Sequence, residues 1–302
     1  MGLQRLAHRG IRYGREHMTS GPAAELIEKI RDKQCVFTIT AGRTGTNYLQ
    51  KLFSLFPDTL SVHEGAPDFV HVLRRAQQNP EVAYSFCLQH KLPFIAAIDQ
   101  KRYVETSHLF CKGFVESFLK CGVVPHIIIL RRPPREIAVS NLGLSTVPSR
   151  TVHGLMYLLS PDDPNVLPLP QWQYLNDYQL CFWYSLEIER RQRNYADMFR
   201  QLGARVVETS LSELLDFRAF VLVASQLGFE ADIHDRSLND NFLELSAVKH
   251  NEKQKNSITA TPEEFTAAEE EVWEKIYYYD PLLRDRITQQ YEKTAVGTMA
   301  VY

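Results

Sequence analysis

The chain has 302 residues, 44% of them hydrophobic, enough to bury a core of ordinary size and to exclude an unfolded tail or a disulfide-stapled miniprotein. Its 34 Lys and Arg against 36 Asp and Glu leave a net charge of −2, so the chain is no polycation built to coat nucleic acid, and any anion it binds must be held by a local site. The five cysteines (Cys35, Cys87, Cys111, Cys121, Cys181) are odd in number and form no CxxC pair, which predicts buried thiols in a reducing compartment, the cytoplasm, rather than a disulfide framework or a zinc knot.

The arm 1–21 carries Arg5, Arg9, Arg12 and Arg15 with no apolar core of signal-peptide length, and Leu6 stands where a myristoylation motif wants Ser or Thr. No apolar run approaches the roughly 18 residues of a membrane span, so no membrane partner is expected. A helix is predicted over 22–32, then a strand over 35–40, a glycine turn over 41–46 and a helix whose Leu49, Leu52, Phe53 and Phe56 share one face. Strands are predicted over 60–63, 102–105, 125–130 and 205–208, the fourth apolar enough to be covered on both faces. Further helices are expected over 67–78, 134–142, 176–202, 214–227 and 262–279, the last signalled by Thr261 as N-cap, Pro262 at the first helical position and Glu264 closing a capping box. Strands separated by helices imply an α/β fold: a central parallel sheet flanked by helices, in a single domain over 1–302, with ligands held beyond the carboxyl ends of the strands.

Two motifs lie at such ends. The first, 41–46 (AGRTGT), joins a strand to a helix through Gly42 and Gly45, where backbone N–H groups and the helix dipole converge on an anion. A kinase loop of the GxxxxGK[ST] type would place Lys before Thr46; here the one cation is Arg43. The second, 130–141 (LRRPPREIAVSN), follows the most apolar strand: Arg132 and Ser140, eight positions apart, can close on one phosphate. Two anion sites at strand ends match a ligand with two separate phosphate groups.

Together these motifs resemble the sulfotransferase superfamily, which has a P-loop-like α/β fold and uses 3′-phosphoadenosine-5′-phosphosulfate (PAPS). Residues 40–49 look like that family's 5′-phosphosulfate loop, with Arg43 in place of the frequent Lys, and Arg132 to Ser140 has the spacing of its 3′-phosphate motif; the order of elements over 209–229 agrees as well. The resemblance covers about 34–142 and 176–256. It implies that Gly42, Arg43, Thr44, Gly45, Thr46 and Asn47 hold the phosphosulfate, that Arg132 and Ser140 hold the 3′-phosphate, and that the basic loop 246–258, with Lys249, Asn251, Lys253 and Lys255, closes over the nucleotide. No metal is implied.

Sulfuryl transfer needs a cation on the leaving phosphate, for which Arg43 is the candidate, and a base for the acceptor. Base candidates at the ends of the second and third strands are, in order, Glu64, His108 and Glu105, with His63 behind them. A zinc-protease HExxH reading fails because Pro67 stands where the second His belongs. The segment 143–177 is expected to be an acceptor-pocket insertion or lid. No Lys or Arg occurs over 151–189, while Asp162, Asp163, Asp177, Glu187 and Glu189 are acidic and Trp172, Tyr174, Tyr178, Trp183 and Tyr184 aromatic, which points to a neutral or cationic small-molecule acceptor. Two competing readings stay open: an ATP-dependent small-molecule kinase with a degenerate loop, and a non-catalytic nucleotide-binding protein of the same fold.

Overall fold

The computed structural model describes residues 22–248 and 261–299. In chain order the elements are α1 (Pro22–Arg31), β1 (Gln34–Ile39), α2 (Thr46–Phe53), β2 (Thr59–Val62), α3 (Val70–Gln78), α4 (Pro80–Phe86), a π-helical turn (Cys87–Lys91), α5 (Leu92–Ala97), β3 (Arg102–Glu105), α6 (Val115–Lys120), β4 (His126–Arg131), α7 (Pro134–Gly143), α8 (Val152–Tyr157), α9 (Asp177–Gln201), β5 (Val206–Ser210), α10 (Leu211–Leu214), α11 (Phe217–Leu227), α12 (Arg236–Ala247), α13 (Pro262–Tyr277) and α14 (Leu283–Met299). They fall into two compact units: Met1–Arg131 with Arg191–Lys253, and Arg132–Arg190 with Gln254–Tyr302.

The first unit holds one five-stranded sheet in the order β2-β3-β1-β4-β5, every pair parallel. All five predicted strands are present within two residues of their expected ends. β4 follows its apolar pattern, with Ile127 to Leu130 fully buried, because a central parallel strand is covered on both faces. Alternation on β1 sends neighbouring side chains to opposite layers. Val36 joins Leu49, Leu52, Phe53 and Phe56 of the α2 layer together with Phe220, Leu227 and Phe229, whereas Phe37 stacks on Phe110 at 4.4 Å and meets Phe118 edge-on at 5.0 Å. The sheet's order reverses between β1 and β4, and there buried Gln192 donates to the carbonyls of Ile39 and Leu130, 3.0 Å each.

Local capping revises two predicted helices. The expected 214–227 helix is broken because Ser210 and Glu213 form a capping box for α10, after which Asp216 caps a fresh start by accepting from Ala219 N–H at 2.9 Å. The expected 67–78 helix begins at Val70, whose N–H donates to the Asp68 side chain.

In the second unit, α13 starts at the Thr261–Glu264 capping box as predicted. Glu269 of α13 accepts from Arg135 of α7 at 2.8 and 2.7 Å and from the Tyr178 hydroxyl. Tyr291 of α14 donates to the Arg132 carbonyl at 2.9 Å and also to Glu189. No helix among the described residues is long and apolar enough to cross a membrane.

Candidate functional site

The turn leaving β1 is built to bring backbone to an anion. Gly42 and Arg43 both adopt left-handed φ values, 79° and 60°, and Gly45 follows at 94°. A tight turn of this kind can gather successive backbone N–H groups on one side of the loop. Gly45 is the N-cap of α2 and offers no side chain to the helix, so the first-turn N–H groups, which have no intrahelical acceptor, are not capped from within. The space beside the glycines is also tight. A Cβ at Gly42 would come to 3.0 Å from the His108 ring, and one at Gly45 to 2.7 Å from Leu211. Inside the turn Thr40 and Thr44 hydroxyls meet at 2.6 Å, both buried, which braces the loop from below.

The neighbouring strand ends supply a charged cluster. Glu64 follows β2 with φ of 50°, an uncommon conformation for a non-glycine residue that sets the direction of its carboxylate. His108 follows β3, and its Nε2 lies 3.1 Å from Glu64 Oε1; its Nδ1 lies 2.7 Å from Lys112 Nζ. The Glu64 side chain is 24% exposed and that of His108 13%, whereas Lys112 is fully buried. Burial first, then the charges of Lys112, His63 and Arg43, holds the imidazole well below its ordinary pKa, so it is neutral at physiological pH. Burial likewise pulls the Lys112 ammonium down to about 7.

The other candidates differ in setting. Glu105 is fully buried, with both carboxylate oxygens at 3.1 and 3.0 Å from Lys91 Nζ and one accepting from Tyr103 at 2.6 Å. His63 Nδ1 lies 2.7 Å from the Thr106 carbonyl. Lys91 also donates to the Gly65 carbonyl at 3.0 Å, so the buried Lys91–Glu105 pair pins the loop that carries Glu64. Neither Lys91 nor Lys112 was singled out from sequence. The available signals were indirect: Lys91 closes a π-helical turn, a feature common at functional sites, and Lys112 lies four residues after His108.

The second motif lies in the second unit. Arg132 pairs with Glu136 at 2.9 Å, one helical turn on, and Ser140 is buried on α7. Beside it, the buried Asn141 Nδ2 has no hydrogen-bond partner among the described residues. Lys249, Asn251, Lys253 and Lys255, like the arm 1–21, lie outside the described residues.

The acidic and aromatic segment reads differently in three dimensions. Trp183 and Tyr184 are fully buried, Trp183 donating to the Leu167 carbonyl at 2.9 Å. Its carboxylates are used internally: Asp162 and Asp163 accept from Ser160, Asp177 pairs with Arg150, Glu187 with Arg190, and Glu189 accepts from Tyr291. Tyr174, 88% exposed, is the aromatic of this set that faces outward most.

No protein-family model matches the chain, and no curated protein matches its sequence. Among solved structures the chain is similar to mouse sulfotransferase SULT7A1 complexed with PAP, at 14% identity and a TM-score of 0.45, covering 87% of this chain and 92% of that one.

Proposed function

We propose that the protein is a PAPS-dependent sulfotransferase that acts on a hydroxyl or amine of a neutral or cationic small molecule. The observation that carries this reading is the strand-end constellation: an uncapped helix start behind two left-handed residues, with Arg43 as the loop's cation, and a Glu64–His108 pair whose imidazole lies next to Gly42 of the same loop. The loop suits an anionic group, since its glycines leave room for close approach and its N–H groups carry partial positive charge. PAPS, when bound, supplies an activated sulfuryl group. Arg43 and the N–H groups of Thr44, Gly45, Thr46 and Asn47 hold the anionic oxygens and stabilise charge that gathers on the departing phosphate. Glu64, partly exposed and 3.1 Å from a neutral imidazole, accepts the proton from the acceptor. Glu105, sealed in its ion pair, has a structural role. Arg132 and Ser140 are assigned to the 3′-phosphate on motif spacing alone, and the basic loop on its composition. Support for an acceptor that is not anionic is now narrower. It rests on the absence of Lys and Arg over 151–189, because the carboxylates there are engaged.

The test is sulfuryl transfer from labelled PAPS to a panel of phenols, alcohols, amines and heparin-like glycans. Turnover of small acceptors that disappears in Arg43→Ala is the expected result; Mg²⁺-dependent ATP turnover without sulfuryl transfer contradicts it.

A further inference from the structure

Lys112 is a fully buried amine with no part in the reading above, yet it sits in hydrogen-bond contact with the imidazole that touches Glu64. Its chemistry constrains that imidazole. A protonated ammonium only donates, so with Nζ 2.7 Å from Nδ1 the ring nitrogen must accept, and a neutral imidazole then carries its one proton on Nε2. The acceptor within reach of that proton is Glu64 Oε1, 3.1 Å from Nε2. Neither ring nitrogen is then left with a lone pair for the substrate, whereas Glu64 is oriented, keeps its remaining lone pairs and reaches solvent.

We propose that Lys112 is a positioning residue that fixes the Nε2–H tautomer of His108 and thereby makes Glu64 rather than His108 the proton acceptor; this rests on the sulfotransferase reading. The step balances simply: the acceptor's proton moves to a Glu64 oxygen as the new bond to sulfur forms, and His108 and Lys112 keep their protons throughout. The groups facing the relay are Glu64, Cys111, Arg74 and Arg191 around Lys112, and Glu64, His63 and Arg43 around His108. Burial, and then the cations among them, favour loss of the Lys112 proton, and Cys111 and Glu64 oppose it. The ammonium therefore changes charge near neutral pH, and the tautomer constraint is strong below that point and relaxes above it.

The experiment is nitrogen NMR of histidine-labelled full-length protein, with the His108 signals assigned by their loss in His108→Asn. In the unsubstituted protein at pH 6 the expected pattern is Nε2–H, changing with a midpoint near 7 as Lys112 loses its proton. In Lys112→Met, where only the Glu64 contact still favours Nε2–H, a fraction of the Nδ1–H form is expected to appear at pH 6 and the imidazole to protonate at higher pH, because a neighbouring cation is gone. The kcat should fall about 10²-fold, the scale of a misoriented base, with the KM for PAPS unchanged. An Nδ1–H pattern in the unsubstituted protein at pH 6, or a Lys112→Met variant that keeps both the Nε2–H form and full kcat, overturns the proposal. The pH titration needs no variant, so it decides even if Lys112→Met fails to fold. Calorimetry with 3′-phosphoadenosine-5′-phosphate on the same sample separates the two ideas: absent binding refutes the sulfotransferase reading, while the NMR pattern reports on Lys112 alone.

Discussion

Replacing Lys91 with Met should uncover how much the loop bearing Glu64 depends on one buried ion pair. The ammonium lies 3.1 and 3.0 Å from the two Glu105 oxygens, 3.0 Å from the Gly65 carbonyl and 4.6 Å from the Phe69 ring centroid. Neither side chain of the pair is exposed, so water cannot replace the lost partner. Removing one member of a buried pair costs about 3–5 kcal/mol, because it strands an uncompensated charge. The cost should depend on pH. Burial pushes the Glu105 carboxyl up and Lys91 pulls it down, so without Lys91 the upward push is opposed only by the Tyr103 hydrogen bond. A carboxyl whose folded pKa exceeds its unfolded value of about 4.3 favours the folded state when protonated, and that contribution is lost as pH rises through the folded pKa. The deficit of Lys91→Met relative to the unsubstituted protein is therefore smaller at pH 5 than at pH 8. Adding Glu105→Gln, which removes the stranded charge and keeps an acceptor for Tyr103, should recover at least half of the loss at pH 8. Urea unfolding of the unsubstituted protein and the two variants at both pH values measures this. A single-variant cost below about 1 kcal/mol, or a deficit equal at pH 5 and pH 8, refutes the reasoning.

Three further outcomes are expected. Gly42→Ala places a Cβ 3.0 Å from the His108 ring at a φ of 79°, so beyond the roughly 1–2 kcal/mol of left-handed strain it should displace His108 and lower kcat; a variant with full kcat shows that the contact is relaxed at no cost. Glu64→Gln removes the proton acceptor and keeps the shape, and is expected to lose about 10²–10⁴-fold in kcat with PAP affinity unchanged, whereas loss of binding instead of turnover assigns Glu64 to the nucleotide. All five cysteines are buried, and burial drives the Cys35 and Cys121 thiols up to about 12, so a thiol reagent at pH 8 should label none in the native protein and all five in urea; fast labelling of any one in the native state contradicts its burial.

Strand ends and the glycine turn were legible because they rest on short-range rules. A run of four apolar residues, Ile127 to Leu130, covered on both faces is the mark of a central strand, and Gly42 and Gly45 announce a turn whose positive φ values favour glycine. The well-capped α13 was equally plain. The short helices α4 and α5 were not, since Pro80 and Pro93 interrupt the periodicity and the π-helical turn between them has no sequence signature. The two lysines that organise the candidate site were invisible for a different reason. Lysine is ordinarily a surface residue, and only three-dimensional proximity to Glu105 and His108 turns Lys91 and Lys112 into buried, paired groups. Counting carboxylates over 151–189 misled in the same way: a count records charge, and Asp177 and Glu187 spend theirs on Arg150 and Arg190.

Calorimetric titration with 3′-phosphoadenosine-5′-phosphate against ATP, with and without Mg²⁺, tests the central claim most directly. Binding of the 3′-phosphate compound that is tighter than that of ATP, independent of Mg²⁺ and lost in Arg43→Ala, is the predicted result. Tight, Mg²⁺-dependent binding of ATP with indifference to the 3′-phosphate compound would contradict it.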